Sequence, residues 1–127
     1  MDIKLELVAV PVTDVDRAKA FYEQVGFHAD HDVTVSDDIR FVQLTPPGSA
    51  CSIAVGRGLT HMAPGSLDNL QVVVKDIEEA HADLRGRGVE TTGIQDLPWG
   101  SFVYFSDPDG NRWSVQQTTP RNAAAQG

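Results

Sequence analysis

Apolar and polar residues alternate along this chain in short runs, and twice the spacing changes to that of a helix. Residues 5–11 are apolar and β-branched and predict a strand, closed by Pro11, whose missing N–H is tolerable at a strand end. Thr13-Asp14 predicts a helix start and residues 16–24 the helix. Val15, Ala18, Phe21, Tyr22 and Val25 fall on one face of it, and Gly26 stops it. Residues 27–34 form a mixed polar strand, 39–44 a third strand, 45–48 a turn and 51–55 a fourth strand. A stretch rich in Gly, Pro and Ser then runs to Asp68. The second half predicts a strand at 69–74, a helix at 77–87 and a short strand at 89–92. A strand at 102–105, a hairpin turn at 107–111 and a last strand at 112–117 follow. From Thr118 on the chain is polar, Ala-rich and without periodicity, so a frayed tail is expected.

The two halves repeat at an offset of 62 residues. Val12-Thr13-Asp14-Val15 matches Val74-Lys75-Asp76-Ile77, and Ala18 and Ala20 match Ala80 and Ala82. Gly26 matches Gly88, and Pro46-Pro47-Gly48-Ser49 matches Pro108-Asp109-Gly110-Asn111. The constant offset implies that neither half has gained or lost a residue between these anchors. The expected fold class is therefore α+β, with two tandem βαβββ modules forming a curved mixed sheet around a central groove. Module 1 covers residues 3–56, a linker 57–68, module 2 residues 69–118 and a flexible tail 119–127. The groove between two such copies is the expected place for a ligand.

Composition narrows the partners. A chain of 127 residues makes one domain with room for a core. The net charge of -8 and only ten scattered basic residues exclude nucleic acid and anionic membranes as partners. No apolar run is long enough to span a bilayer. The opening Met1-Asp2-Ile3-Lys4-Leu5-Glu6 lacks a basic segment followed by an apolar one, and Cys51 is a single cysteine. A cytoplasmic location is expected.

Residues 10–22, Val10-Pro11-Val12-Thr13-Asp14-Val15-Asp16-Arg17-Ala18-Lys19-Ala20-Phe21-Tyr22, resemble the opening signature of the vicinal oxygen chelate superfamily. Phe105-Ser106-Asp107-Pro108-Asp109-Gly110-Asn111-Arg112-Trp113 resembles its closing signature. That group contains glyoxalase I, extradiol dioxygenases, fosfomycin-resistance enzymes and bleomycin-resistance proteins. The likeness covers residues 3–118 and implies paired βαβββ modules and a homodimer. It also implies four metal-ligand positions, which fall here on Leu7, Ser52, Asn69 and Ser114. Zn, Fe and Ni sites use imidazole, carboxylate or thiolate donors, so the expectation is no metal and no cofactor. Glu6 and Asp68 stand one residue away, where strand alternation turns a side chain to the other face.

Alternation from Leu7 predicts a groove lined by Leu5, Leu7 and Ala9, by Asn69, Gln71 and Val73, and by Ala50, Ser52 and Ala54. Arg112, Ser114 and Gln116 complete it. Trp99, Phe102 and Tyr104 come from the preceding loop and strand. They either stack on a planar ligand or, for Phe102 and Tyr104, belong to the core. Trp113, Phe21, Tyr22 and Phe105 are expected in the core, and Cys51 buried and inert. Arg40 is expected to pair with Asp37 or Asp38 at the surface rather than with a ligand carboxylate. His28, Asp30, His31 and Asp32 read as a polar edge strand facing water, in preference to an acid–base or metal cluster. His81 is expected to be exposed on its helix, His61 to face solvent from the linker, and Asp107 and Asp109 to bond backbone within their turn.

Three functions are compatible with these residues. The first is a metal-free protein that binds a small organic molecule in its groove, like bleomycin-resistance proteins. The second is a cofactor-independent isomerase or cyclase acting on a natural product, with His31, Asp30, Tyr104 or Arg40 as acid–base groups. The third is a metal-dependent glyoxalase-like lyase or extradiol-type dioxygenase, which needs ligands that the matching positions lack. The acidic charge favours a cationic ligand at long range.

Overall fold

A computed structural model describes residues 1–121. It divides into two compact units, Met1–Leu67 with Asp107–Asn111, and Asp68–Ser106 with the chain from Arg112 on. The first unit holds β1 (Leu7–Ala9), α1 (Val15–Val25), β2 (His28–Ser36), β3 (Ile39–Thr45) and β4 (Ser52–Arg57). The second holds β5 (Leu70–Val73), α2 (Ile77–Gly86), β6 (Gln95–Leu97), β7 (Gly100–Ser106) and β8 (Arg112–Gln117). Each is a βαβββ module with a four-stranded mixed sheet, in the orders β1-β4-β3-β2 and β5-β8-β7-β6. In both sheets the first strand runs parallel to the fourth and the other neighbours are antiparallel. Among the described residues no helix is long and apolar enough to cross a membrane.

Both helices start as their sequences require. Asp14 caps α1 by accepting from the Arg17 N–H, and Asp76 caps α2 by accepting from Glu78 and Glu79. Gly26 ends α1 in the left-handed region at φ 116°. One face of each sheet packs under its own helix. Val42, Leu44, Ile53 and Val55 do so in the first unit, and Val103, Phe105, Trp113 and Val115 in the second, all buried. Tyr22 and Trp113 are in the core as expected, and Phe105 stacks on Trp113 at 5.9 Å.

Three local expectations need correction. The first strand begins at Leu7 rather than residue 5, and Leu5 is 70% exposed. Its partner strand β4 begins only at Ser52, which leaves Leu5 with nothing to pair against. Residues 89–92 form no strand; the edge strand is β6, three residues further on. The Tyr104 N–H donates to the Thr92 hydroxyl instead of a backbone carbonyl, which breaks a ladder there. The exact repeat also fails in part of the strands, although the turn glycines Gly48 and Gly110 both keep a positive φ. Leu7 lies opposite Ser52, yet Ser114 lies opposite Gln71, not Asn69, a parallel register moved by two residues. The connection between β7 and β8 is one residue shorter than that between β3 and β4, 107–111 against 46–51. Of the expected tail, Arg121 bonds Asp96 and Glu78, and residues 122–127 lie outside the described residues.

The short turn is built around Asp107, whose side chain is buried at 5% exposure. A carboxylate out of water is costly unless its lone pairs are filled. Here it accepts from Tyr22 Oη at 2.7 Å, Asn111 Nδ2 at 2.8 Å, and the N–H groups of Asp109 and Asn111 at 3.0 and 2.9 Å. Asn111 also donates to the Pro11 carbonyl and accepts from the Leu67 N–H. The role of Asp107 thus extends beyond its own turn to α1. Tyr22→Phe should cost about 2 kcal/mol, the typical worth of a buried hydrogen bond to a charged group, in urea unfolding with an unchanged m-value. A loss under about 0.5 kcal/mol would show that Asp107 is held without Tyr22.

Candidate functional site

In the second unit the face of the sheet away from α2 carries a cavity of about 360 Å³. Strand alternation supplies its floor. Phe102 lies opposite Gln116 and Tyr104 opposite Ser114, so these four share a face with Arg112. Asn69 and Gln71 line the cavity from the β5 side, and Trp99 from the loop before β7. Eight residues read from the sequence thus meet in one place, and Phe102 and Tyr104 line the cavity. Asp68 and Leu97 also line it, and sequence reasoning missed both. Alternation puts Asp68 on the opposite face, but β5 starts at Leu70, so alternation does not govern Asp68. Leu97 belongs to β6, the strand that was placed too early.

The walls are aromatic and amide-rich, with Arg112 and Asp68 as charged members. The Phe102 and Tyr104 rings stack at 5.9 Å and 5°. The Arg112 guanidinium carbon sits 4.7 Å from the Tyr104 ring centroid, a cation–π contact. Trp99 is 64% exposed, whereas Trp113 is 2% exposed. A chain of amides runs across the floor. Ser114 donates to Asn69 Oδ1 at 2.9 Å and approaches Gln71 Oε1 at 3.4 Å. Gln71 donates to Gln116, and Gln116 donates to the Trp99 carbonyl at 3.1 Å. Val73, placed in the groove by alternation, lies outside this cavity and is exposed.

In the first unit Ser52 and Ala54 are buried on β4, and Leu7 and Ala9 half-buried on β1. Ser52 accepts from Gln43 Nε2 at 3.2 Å and donates to Thr45 Oγ1 at 2.6 Å, because Thr45 gives its own hydroxyl proton to Asp30. Gln43 and Thr45 were not read as partners of Ser52. Their two-residue spacing on β3 is the signal that would have found them.

These surroundings test the positions at which the resemblance puts a metal. Leu7 has no donor atom. Ser52, Asn69 and Ser114 offer neutral oxygens already engaged with their neighbours. Such a set does not fit a divalent transition metal, which needs imidazole, thiolate or carboxylate charge. Among the described residues no three His, Cys, Asp or Glu side chains converge on a point.

The remaining candidates fall elsewhere. Arg40 does not pair with Asp37 or Asp38. It bonds Asp32 at 2.8 and 3.0 Å and Asp16 at 2.8 Å. Arg40 lies opposite Thr34 and Asp32 opposite Val42, so the two are diagonal neighbours on the α1 side of the sheet. Lys19 adds a second cation to Asp32 at 3.0 Å. His28, Asp30 and His31 are exposed on the edge strand β2, with His28 3.7 Å from Asp30. His61 is exposed. His81 is not exposed; it is half-buried, and its Nε2 has no hydrogen-bond partner among the described residues. Cys51 is half-buried rather than buried, with its thiol 3.5 Å from the Ser52 carbonyl.

The family model for the glyoxalase/bleomycin resistance protein/dioxygenase superfamily matches residues 4–115. The chain belongs to this superfamily. TnmS3, an antibiotic-binding protein from Streptomyces sp. CB03234, is 37% identical, with a TM-score of 0.83 over 94% of this chain and 99% of its own. A glyoxalase/bleomycin resistance protein from the same Streptomyces strain is also 37% identical, with a TM-score of 0.77 over 90% of this chain and 100% of its own. The YetH protein of Bacillus subtilis (strain 168) is 31% identical over 115 residues, 87% of this chain and 94% of YetH.

The Arg40 cluster yields a pH dependence. Hydrogen bonds from Arg40, then Lys19, hold the Asp32 carboxyl far below the usual carboxylate range. A pKa lowered by folding stabilises the fold above the unfolded value, near 4, and that contribution fades as pH falls toward the folded value. Asp32→Asn should therefore lower the urea midpoint at pH 7 and lower it less at pH 3. An equal deficit at both pH values would mean that the charge of Asp32 is not what stabilises.

Proposed function

We propose that this protein binds a small, planar organic molecule in the second-unit cavity, without a metal, as an antibiotic-binding or bleomycin-resistance-like member of its superfamily. The observation that carries this reading is the lining: an exposed indole, two stacked rings and a line of neutral amides. Aromatic surface with a few convergent hydrogen-bonding groups suits recognition of a flat ligand. The likeness to TnmS3 supports the same reading. Catalysis has less to draw on. Of the four acid–base candidates only Tyr104 lines the cavity, and Arg40 is committed to two carboxylates. The reading includes the homodimer that the family resemblance implies, for which exposed Val33, Val35 and Ile39 of the β2–β3 hairpin offer apolar surface. It also includes a cytoplasmic location, in keeping with a free cysteine.

The test uses 2-naphthamide, a flat neutral probe, and the two tryptophan indole N–H signals in an NMR titration. The Trp99 signal should move in a saturable way while that of buried Trp113 stays put. Trp99→Ala should weaken binding about tenfold, measured by calorimetry, the scale of one lost aromatic contact. Movement of Trp113 alone, or unchanged affinity in Trp99→Ala, would remove the cavity from consideration.

A further inference from the structure

The cavity's hydrogen-bonding groups are unequally used. Two of its amide acceptors are occupied, Asn69 Oδ1 by Ser114 and Gln116 Oε1 by Gln71, while Gln71 Oε1 and the exposed Asp68 carboxylate stay open. The Trp99 carbonyl is taken by Gln116. Its donors are more open still. An amide nitrogen carries two N–H groups. Gln71 and Gln116 each spend one on the chain of amides, and Asn69 Nδ2 spends none among the described residues. Arg112 adds a guanidinium with five N–H groups. Its ion pair with Asp68 is 4.0 Å long, and the Asp68 side chain is 91% exposed, so water screens that attraction. The N–H donors left for a ligand therefore outnumber the open acceptors, next to a positive charge held over an aromatic ring.

We infer that the ligand is a flat aromatic oxyanion, an aryl carboxylate or phenolate, with its charge on Arg112 and its rings against Trp99 and Tyr104. This inference rests on the reading of the cavity as the binding site and deepens it by naming the ligand's charge. It runs against the protein's overall charge of -8, which favours a cation at long range. Charges more than about 8 Å away are largely screened at physiological ionic strength, whereas a guanidinium in contact with a carboxylate makes short charge-assisted hydrogen bonds. The contact group decides the preference.

Three probes with one ring system separate charge from shape: 2-naphthoate, 2-naphthamide and 2-naphthylmethylammonium, each titrated against the Trp99 indole signal. Naphthoate should bind about tenfold more tightly than the ammonium probe, the scale of one charge-assisted contact. Arg112→Gln should erase that preference while naphthamide still moves Trp99, and Arg112→Lys should keep part of it. Equal or tighter binding of the ammonium probe, or a preference that survives Arg112→Gln, would overturn the oxyanion assignment and leave the cavity reading standing. If no probe moves Trp99, both fall together.

Discussion

A buried carboxylate fixes the strand pairing on which the cavity depends. Asp107 begins the turn before β8, and its backbone N–H bonds the Asn111 carbonyl while its side chain gathers four donors. That closes the hairpin after five residues, with Ser106 opposite Arg112. From this register Phe102, Tyr104, Arg112, Ser114 and Gln116 fall on one face, and Val103, Phe105, Trp113 and Val115 on the other. A turn longer by one residue would change the pairing and the face that β8 presents. The face on which the polar residues of β8 fall is thus tied to the length of the turn that Asp107 organises.

The same turn explains what the sequence made legible and what it hid. Helix faces, caps and most strands are readable because their periodicities are local: Asp14, Asp76 and Gly26 each signal in one or two residues. Ser114, Gln116 and Gln71 follow from alternation along single strands, and Asn69 directly precedes β5. Tyr104 does not. It stands 62 residues after Val42, a core residue, and yet faces the cavity, because β7 and β8 are joined by a turn one residue shorter. A parity change of this kind is invisible to a repeat matched at the helices and at the turn before the last strand of each half. Asp68 and Leu97 were missed for a related reason, since both lie where strand boundaries differ from the pattern. Arg40 found Asp32 rather than Asp37 or Asp38 because cross-strand diagonals on one face outrank closeness in sequence.

Within the superfamily, the residues at the four ligand positions shape what this member can do. Ser52 and Ser114 are buried but neutral, and each is absorbed into a hydrogen-bond set within its own unit. The fold that elsewhere surrounds a Lewis acid here offers amides, a hydroxyl and rings. Such a surface recognises shape and hydrogen-bond pattern. Under the proposed function, the charge of Arg112 is what selects among flat molecules.

The proposed recognition works through the rings, the amides and the Arg112 guanidinium and requires no metal. Metal content and probe binding should be measured together on protein made without a His-tag. The protein is incubated with Zn(II), Fe(II), Ni(II) or Mn(II), desalted, analysed by plasma mass spectrometry and titrated with 2-naphthamide. The account predicts less than roughly a tenth of an equivalent of any metal, because the positions lack charged donors. It also predicts the same affinity with and without a chelator. Close to one equivalent of any metal, or binding abolished by the chelator, would contradict it.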